Sequence, residues 1–515
     1  MRLVAGIIIC VGLLLPALAG RGADPAQDEL IAAFEQKVKT ISDTYGPSVA
    51  FIVVSRSDKY PKPAAQENEG QLGGFDPVEF LRTDQARVAL AKKLDLADPA
   101  NIPDHGTANG VVIDAAGFVL TTNAAIEGAT KLYVHFANGK GSYADIHAAD
   151  SRSDLAVLRL LAPPPGLRAV TIGEARPEDV QSGPKKSVFA GKLLVFLALP
   201  YDAVGEVRKP SAWVGSIAGI QRRTIKPNEL GGRSTWYSYG FVLEFQTVLR
   251  PAVRGGGGVG ASLGGNGTPL FTLDGEVIGL TSTLAAAADA DPGPGYALPI
   301  DANGKRIVDV LRRGEEVEYG FLGVRIRDGL TLSTVSEHSP AWNAGLRPFD
   351  TITHINGYPA TRYEDLLLHA GTALAGTRIK LRVRGGDGAF RNTELTLAKF
   401  KNESPYIASK RPDPVFGLRV DYGSVIVQPA RATMNGNEAV PQGVAVREVV
   451  ANSPAAAKFK TLGDNPTRFV ITAVNGTRTP TPADFYKAAH GPASIKLTIL
   501  DVFEQNPQER DITIP

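Results

Sequence analysis

The 515-residue sequence is almost without cysteine: the one thiol, Cys10, has no partner with which to form a disulfide. Cys10 lies in an apolar N-terminal stretch that has the features of an export signal, so the mature chain is expected to have no thiol. Disulfide staples, cysteine nucleophiles and thiolate metal sites are thereby excluded.

The sequence also lacks a surplus of charge of either sign. Lys and Arg number 55 and Asp and Glu 53, so no long-range field favours nucleic acid or an anionic membrane surface. His, Asp and Glu do not recur at metal-ligand spacing, and nothing indicates a nucleotide or redox cofactor. We therefore expect no cofactor, no metal and no nucleic-acid partner; proteins or peptides are the expected partners.

An apolar run long enough to span a bilayer is missing as well. Residues 3–15 are apolar, follow Met1 and Arg2, and precede the small-residue stretch Ala17-Leu-Ala19. A membrane-spanning helix needs about 20 apolar residues, and this run is shorter. Residues 1–19 therefore predict a secretory signal, and the mature protein is expected to be exported and soluble. The alternative is an uncleaved membrane anchor.

The length indicates about three domains, at roughly 100 to 200 residues each. A helix is predicted over residues 28–41 and a strand over 48–54, with Gly46-Pro47 between them. Residues 56–104 are polar and contain proline, which predicts an insertion loop with a helix over 77–94.

From residue 109 to 300 short strand-like runs alternate with Gly, Pro, Asn and Asp turns. This pattern predicts an all-β barrel or sandwich and argues against a doubly wound sheet. The runs are 111–113, 131–136, 154–160, 193–199, 241–245 and 276–281.

The last two hundred residues contain a diverged repeat. Phe321-Leu-Gly-Val324 returns as Val415-Phe-Gly-Leu418, and Ser339-Pro-Ala341 returns as Ser453-Pro-Ala455. Later in each copy, Ile-Asn-Gly357 corresponds to Val-Asn-Gly476. Two copies of one small domain are therefore predicted.

This order of motifs resembles the HtrA (DegP-like) family. Its landmarks are the segment 109–123, which ends Gly-Phe-Val-Leu-Thr-Thr-Asn123, the segment Asp150-Ser-Arg-Ser-Asp-Leu-Ala-Val-Leu158, and residues 264–280. The resemblance implies a mainly β chain: a trypsin-like double β-barrel followed by two PDZ domains of α+β type. The implied boundaries are 1–19 for the signal, 20–310 for the protease-like domain, 315–402 for the first PDZ domain and 410–515 for the second. It also implies a homo-oligomer, a trimer, in the periplasm or cell envelope.

The same resemblance exposes two replacements. In the family a catalytic histidine follows the Leu-Thr-Asn-Asn-type strand end, and here that position is Ala124. The aspartate is retained as Asp154. The family's Gly-Asn-Ser-Gly-Gly-Pro-Leu segment reads Gly264-Gly-Asn-Gly-Thr-Pro-Leu270, so Asn266 stands at the serine position.

Peptide hydrolysis by this route needs a hydroxyl that attacks, an imidazole that takes its proton, and a carboxylate that orients the imidazole. Alanine offers no base, and an asparagine amide is no practical nucleophile. The sequence thus predicts a pseudoprotease with no functional catalytic residue. The alternative is an active serine endopeptidase with a non-standard site, built from Ser262 and one of the seven histidines. They are His105, His135, His147, His338, His354, His369 and His490, and no neighbouring motif identifies any of them as the base.

If catalysis is lost, the PDZ-like copies carry the function. A PDZ domain captures a terminal carboxylate with backbone N–H groups of a hydrophobic-hydrophobic-Gly-hydrophobic loop. Phe321, Leu322, Gly323 and Val324 fit that loop. Val415, Phe416, Gly417 and Leu418 repeat it, but the second copy departs from the family after Ser453-Pro-Ala455, so its ligand role is open. The expected ligands are unfolded proteins or peptide C-termini, and an active HtrA-type protease is a further partner that the resemblance implies.

Overall fold

The computed structural model describes most of the chain beyond its N-terminus. The described ranges are 25–56, 96–97, 107–177, 187–199, 209–225, 237–247, 265–282, 295–401, 407–426, 439–463, 465–504 and 507–515. The expected signal, 1–19, and nearly all of the insertion 56–104, including its expected helix, lie outside them. In these ranges no helix is both long and apolar enough to cross a membrane.

A long helix and a first β-barrel open the described chain. Helix α1, Pro25–Tyr45, ends where Gly46 and Pro47 begin a short 3-10 turn. The elements that follow α1 are β1 Val49–Ser55, β2 Thr107–Asp114, β3 Phe118–Thr122, α2 Asn123–Ile126, β4 Lys131–Phe136, β5 Gly141–Asp150 and β6 Leu155–Leu160. The sheet runs β5-β4-β1-β2-β3-β6, and β6 pairs back onto β5, so the sheet closes on itself.

A second closed barrel follows. Its strands run in the order β10-β11-β12-β15-β14-β13, and β13 pairs back onto β10. They are β10 Leu193–Ala198, β11 Ser211–Ile225, β12 Tyr237–Thr247, β13 Pro269–Phe271, β14 Glu276–Thr281 and β15 Gly295–Pro299, with the short strands β7 Thr171–Ile172, β8 Arg176–Pro177 and β9 Ser187–Val188 before them. Each sheet is thus closed by pairing between its end strands. The mainly β, trypsin-like double barrel expected from the sequence is confirmed.

Buried apolar residues explain why the two barrels pack against each other. One buried cluster takes Val111 and Leu120 from the first barrel, Val195 and Phe271 from the second, and Leu311 from the helix that follows. Each is fully or almost fully buried, so removing this surface from water stabilises the contact between the barrels.

Helix α3, Ala302–Arg312, leads from the barrels into two smaller α+β units. Asp301 caps α3 by accepting from the N–H of Gly304. We call residues 319–399 module 1. Its elements are β16 Gly320–Phe321, β17 Val324–Ile326, β18 Leu332–Val335, α4 Pro340–Asn343, β19 Thr351–Ile355, β20 Tyr358–Pro359, α5 Tyr363–Leu366 with a π-type turn Leu367–Gly371, β21 Arg378–Arg384, β22 Phe390–Thr396 and β23 Ala398–Lys399.

Residues 415–514 form module 2, which repeats this order. Strand β24, Ile407–Ala408, lies between the modules and pairs with β5 of the first barrel. The elements of module 2 are β25 Leu418–Tyr422, β26 Val444–Val449, α6 Pro454–Lys460, β27 Phe469–Val474, β28 Thr477–Arg478, α7 Pro482–Ala489, β29 Ile495–Asp501 and β30 Arg510–Ile514, with 3-10 turns Gly423–Ile426 and Pro466–Arg468.

A buried charge network joins the two modules to the segment that leaves the barrels. Lys399, whose side chain is only 3% exposed, lies 2.8 Å from Asp421, 3.0 Å from Glu318 and 3.2 Å from Glu316. Arg447 completes it, 2.7 Å from Glu316 and 2.9 Å from Asp421. Burial by itself would lower the pKa of Lys399, but the three carboxylates outweigh burial and raise it.

Candidate functional site at the seam between the barrels

Ala124 and Asp154 meet at one corner of the first barrel. Ala124 lies two residues after the end of β3, in the single turn of α2, and its backbone N–H donates to Asp154 Oδ1 over 2.7 Å. The backbone N–H of Asn123 donates to the carbonyl of Asp154 at 2.9 Å. Two backbone bonds therefore fix the position after β3 against the aspartate.

Asp154 is fully buried and adopts a left-handed backbone conformation, with φ +58°. Aspartate is one of the few residues that tolerate this region. Ser282, at the end of β14 in the second barrel, donates its hydroxyl to Asp154 Oδ2 over 2.8 Å. A buried carboxylate is costly unless hydrogen bonds satisfy it, and here one barrel supplies a backbone donor and the other a hydroxyl.

Asn266 lies on the turn before β13, at the same seam. Its carbonyl accepts from the backbone N–H of Asn109 in β2 over 2.8 Å. At the next residue, Gly267, φ is +81°, and an added Cβ would stand 2.1 Å from the carbonyl oxygen of Asn109 and 2.7 Å from the hydroxyl of Thr121. Only glycine fits there, because the two barrels approach so closely.

The amide of Gly267 is also engaged. It donates to the carbonyl of Thr281 over 2.8 Å, while Thr281 N–H donates back to Thr268. The turn is therefore held on one side by β14 and on the other by β2. The seam thus brings the three sequence-predicted positions, 124, 154 and 266, to one region.

Two imidazole–hydroxyl contacts occur elsewhere in the described chain. His147 Nδ1 lies 2.8 Å from the hydroxyl of Ser409, and His354 Nδ1 lies 3.2 Å from that of Thr353. His147 Nε2 donates to the carbonyl of Arg312, so its Nδ1 accepts from Ser409, and burial lowers the pKa of this ring.

The His147–Ser409 pair lies at the end of β3 that is opposite to Ala124. Its ring packs 4.8 Å from that of Phe118, where β3 begins, whereas Ala124 follows the end of the strand. A five-residue strand spans about 16 Å. His135 is also occupied, 3.2 Å from the carbonyl of Leu96, and burial lowers its pKa. His105 and Ser262 lie outside the described residues.

Loop 321–324 of module 1 is built around a glycine that has no room for a side chain. Gly323 has φ +84°, and an added Cβ would lie 2.2 Å from Cβ of Ser339. Ser339 in turn caps α4 by accepting from the N–H of Trp342. The carbonyls of Leu322 and Gly323 point into the module, where they accept from Ala341 and Ser336.

Loop 415–418 of module 2 uses the same contact in a different turn. Gly417, with φ +88°, packs against Ser453, the residue that caps α6. Here Phe416 also has a positive φ, +54°, and the N–H groups of Val415 and Leu418 donate to each other's carbonyls at 3.1 and 2.9 Å. Two positive φ values in succession define a tight turn closed on itself.

The turn that carries Asp154 also holds module 1. Asp150 accepts from the hydroxyl of Tyr319, and Arg152 donates to the carbonyl of Gly371 over 2.7 Å. The guanidinium of Arg152 lies 4.2 Å from the ring centre of Tyr319, a cation–π contact. Burial raises the pKa of Asp150, while bonds from Ser153 and Tyr319 oppose that rise.

The sequence did not predict the contacts that residues 150–154 make with Ser282 and with module 1. Ser282 is part of the stretch Gly-Leu-Thr-Ser282 that ends a predicted strand, and a hydroxyl at a strand end gives no signal of its carboxylate partner. Asp150 and Arg152 belong to the segment 150–158, in which the family motif assigns a role to Asp154 only. Their role depends on contacts more than 160 positions away in the chain, which no local pattern encodes.

Metal-type clusters are absent from the part of the chain that the structure describes. No group of three or more His, Cys, Asp or Glu side chains there could hold a metal ion.

Comparison with known proteins agrees with this architecture. A model of the trypsin-like peptidase domain matches residues 108–280, which include Ala124, Asp154 and Asn266. A probable periplasmic serine endoprotease, DegP-like, from Marinomonas sp. (strain MWYL1) is 26% identical over 459 residues, covering 86% of each chain. The protein of the same description from Chlamydia muridarum (strain MoPn / Nigg) is 23% identical and covers 88% of this chain and 84% of its own.

Among solved structures, the HtrA-type protease AlgW with a decapeptide is similar, at 18% identity and a TM-score of 0.42. It covers 72% of this chain and 99% of its own. The trypsin-like peptidase match and the near full-length relatives stand beside two closed barrels and two further modules. The chain thus contains a trypsin-like peptidase domain and is similar along most of its length to HtrA/DegP-like serine endoproteases, which supports the HtrA family.

Proposed function

We propose that this chain is an exported HtrA-like pseudoprotease that binds peptides or protein C-termini and does not cut them. The observation that carries the proposal is the corner at Asp154. The residue whose backbone N–H reaches that carboxylate is Ala124, where the family has its imidazole. A methyl group can neither take a proton from a nucleophile nor return it to a leaving group.

The second replacement reinforces the first. Asn266 stands where the family has its attacking serine, on a turn fixed by Asn109 and Thr281. Loss of one member of such a unit lowers turnover by ~10⁴ to 10⁶, and loss of two members removes both attack and proton transfer. Asp154 remains because it has become structural: it joins Ala124 of one barrel to Ser282 of the other.

Ligand binding is assigned to module 1, in the manner of a PDZ domain. Half-buried Val324 and Ile326 of β17, with Leu322, pack on a core that includes Leu366 of α5. A peptide would add to β17 beside this helix, and its carboxylate would meet the N–H groups of loop 321–324. Gly323 permits that approach, since its carbonyl and that of Leu322 are already turned inward.

Envelope quality control is the setting that the family and its periplasmic relatives support. The chain would act as a chaperone, a scaffold or a regulator of an active HtrA-type protease, and assembly as a trimer would raise its avidity for multivalent clients. Residues 1–19 would direct export and be removed.

The catalytic half is tested with quenched fluorescent casein. The wild-type chain is expected to stay at the buffer background, and so is Asn266→Ala. The double variant Ala124→His with Asn266→Ser serves as a gain-of-function arm. Activity that survives a second purification of the wild type and disappears in Asn266→Ala would overturn the proposal in favour of an active serine endopeptidase with a non-standard site.

The binding half is tested separately with labelled peptides from a C-terminal library and the full-length chain. Binding should be abolished when the peptide is amidated at its C-terminus and when Gly323 is changed to Glu. The amidation arm does not depend on whether Gly323→Glu folds. Peptides that bind equally well with and without a free carboxylate would contradict the assignment.

A further inference from the structure

Module 1 carries a row of four cations on a single strand. Along β21, whose sequence alternates strictly, Ile379, Leu381 and Val383 are buried in the core. The residues between and beside them face solvent, and all are basic. They are Arg378, Lys380, Arg382 and Arg384, and we call them the basic row. Residues two apart on a strand are about 6.6 Å apart, so the row extends about 20 Å.

The row has little counter-charge. Within the described chain, its one carboxylate partner in an ion pair is Glu394 of β22, 3.8 Å from Arg378. The same Glu394 lies opposite Lys380 in the strand register, while β22 places Asn392 opposite Arg382 and Phe390 opposite Arg384. The whole chain has a formal net charge of only +2, so this face concentrates charge that the balanced composition conceals.

An exposed aromatic ring stands at one end of the row. Phe390 is 57% exposed, and the guanidinium of Arg382 lies 5.0 Å from its ring centre. Exposing a large aromatic ring to solvent does not stabilise the isolated chain. Aromatic and arginine side chains do, however, dominate the energetics of protein interfaces.

Module 2 shows that the fold does not require the row. The corresponding strand, β29, keeps the buried positions Ile495, Leu497 and Ile499 but has one outward cation, Lys496. Lys496 lies 2.7 Å from Asp511, so its charge is compensated. Four basic residues on β21 are therefore an addition to the shared module.

The width of the row indicates the shape of its ligand. At the paired positions on both sides, the neighbouring strands place no further lysine or arginine: β19 places Thr351 and His354 there, and β22 places Asn392 and Glu394. A membrane surface would be met best by cations spread over several strands. One line of cations at two-residue spacing matches an extended chain whose carboxylates alternate with the same spacing.

We propose that the basic row binds an extended acidic segment of a partner protein, with Phe390 contacting an apolar side chain at its end. This site is on the solvent face of the β20-β19-β21-β22 sheet and takes side-chain carboxylates. It is distinct from loop 321–324, which would take a terminal carboxylate. A client could thus be held at two points of one module.

The test uses the full-length chain and a labelled octapeptide of alternating glutamate and threonine, amidated at its C-terminus so that loop 321–324 has no carboxylate to capture. The test variant is Arg378→Ser with Arg382→Thr and Arg384→Thr. The control variant removes three exposed cations from other surfaces: Lys140→Thr, Lys460→Thr and Lys487→Thr.

The peptide should bind the wild type and the control variant alike and the row variant about tenfold more weakly. A matched peptide with glutamine for glutamate should not bind, and rising salt should weaken binding of the acidic peptide. Equal loss in the row and control variants would overturn the proposal, because net charge alone would then explain binding. So would a row variant that loses affinity for anionic lipid vesicles or changes the mass of the assembly but still binds the acidic peptide.

Discussion

Modules 1 and 2 follow one chain path, yet they use their first loop and their central strand differently. In module 1, loop 321–324 joins β16 to β17, and Gly323 alone has a positive φ. In module 2, loop 415–418 is a tight turn in which Leu418 N–H already donates to Val415. The N–H group that a ligand would need is thus consumed within the loop, and we assign peptide capture to module 1 alone.

The contrast extends to how each module treats charge. On β21 of module 1, Lys380, Arg382 and Arg384 have no ion pair within the described residues, whereas in module 2 Lys496 is paired with Asp511 and Arg468 with Asp501. The second copy has the properties of a structural partner, and Lys399 at the end of module 1 is anchored in it through Asp421. We propose that the two copies have separate tasks: ligand contact in module 1 and support in module 2.

The largest expected effect comes from breaking the charge network between the modules. Lys399→Met removes one cation from Glu316, Glu318 and Asp421, and Arg447 is paired with only Glu316 and Asp421; an uncompensated buried charge typically costs about 3–5 kcal/mol. Urea unfolding should show this loss. The exposed pair of Arg478 with Glu509 in module 2 is the control, and Arg478→Met should change the midpoint little.

The glycine at the loop of each module is the next point of comparison. Gly323→Ala and Gly417→Ala should each destabilise the chain by about 1–3 kcal/mol, since both glycines have positive φ and an added Cβ would lie within 2.2 Å of Ser339 or Ser453. Peptide binding should separate them. Loss of binding for the Gly323 variant only, at a temperature where both are folded, supports the division of tasks; loss for the Gly417 variant only contradicts it.

The charge network also predicts a difference at alkaline pH. The folded pKa of Lys399 is raised above its ordinary value of 10.5, so its contribution is fully present below pH 10.5 and is lost as the pH rises through the folded pKa. The free energy of unfolding of the wild type should fall more steeply above pH 10.5 than that of Lys399→Met. The extra slope can reach about 1.4 kcal/mol per pH unit. Parallel curves would show that Lys399 does not titrate differently in the folded state.

The smallest expected effect concerns a strained turn in module 1. Phe349 has φ +73° and is 65% exposed, so Phe349→Gly should stabilise the chain by about 0.5–1 kcal/mol by relieving the backbone. Phe503 of module 2 is 70% exposed and is not in this conformation. Phe503→Gly should therefore give no gain, and thermal unfolding of the two variants side by side measures the difference.

Periodicity and turn residues predicted the fold well where burial follows a local pattern. The strands Lys131–Phe136 and Glu276–Thr281 have the bounds that alternating residues indicated, and α1 extends the predicted helix by a turn at its C-terminus and by three residues at its start. Barrel closure, by contrast, joins β5 to β6 and β10 to β13 through ladders that no single segment specifies.

At the seam, the positions of Ala124, Asp154 and Asn266 could be read from motif order, because each follows or precedes a recognisable strand. Their partners could not. Ser282 and Tyr319 reach the 150–154 turn from 128 and 169 positions away, and a side-chain hydroxyl carries no pattern that names its acceptor. Whether those three positions are a disabled triad remains the prediction that the casein assay tests.

Strand β24 has a mechanical consequence. Module 1 is attached to the first barrel at its first residue, Tyr319, and again after it ends, where Ile407 and Ala408 pair with β5. A unit held at both ends of its own sequence cannot rotate about a single linker, because either motion strains the other attachment. Pulling on a captured client would therefore load the first barrel directly and shift the barrel, the module and the adjoining strand as one piece.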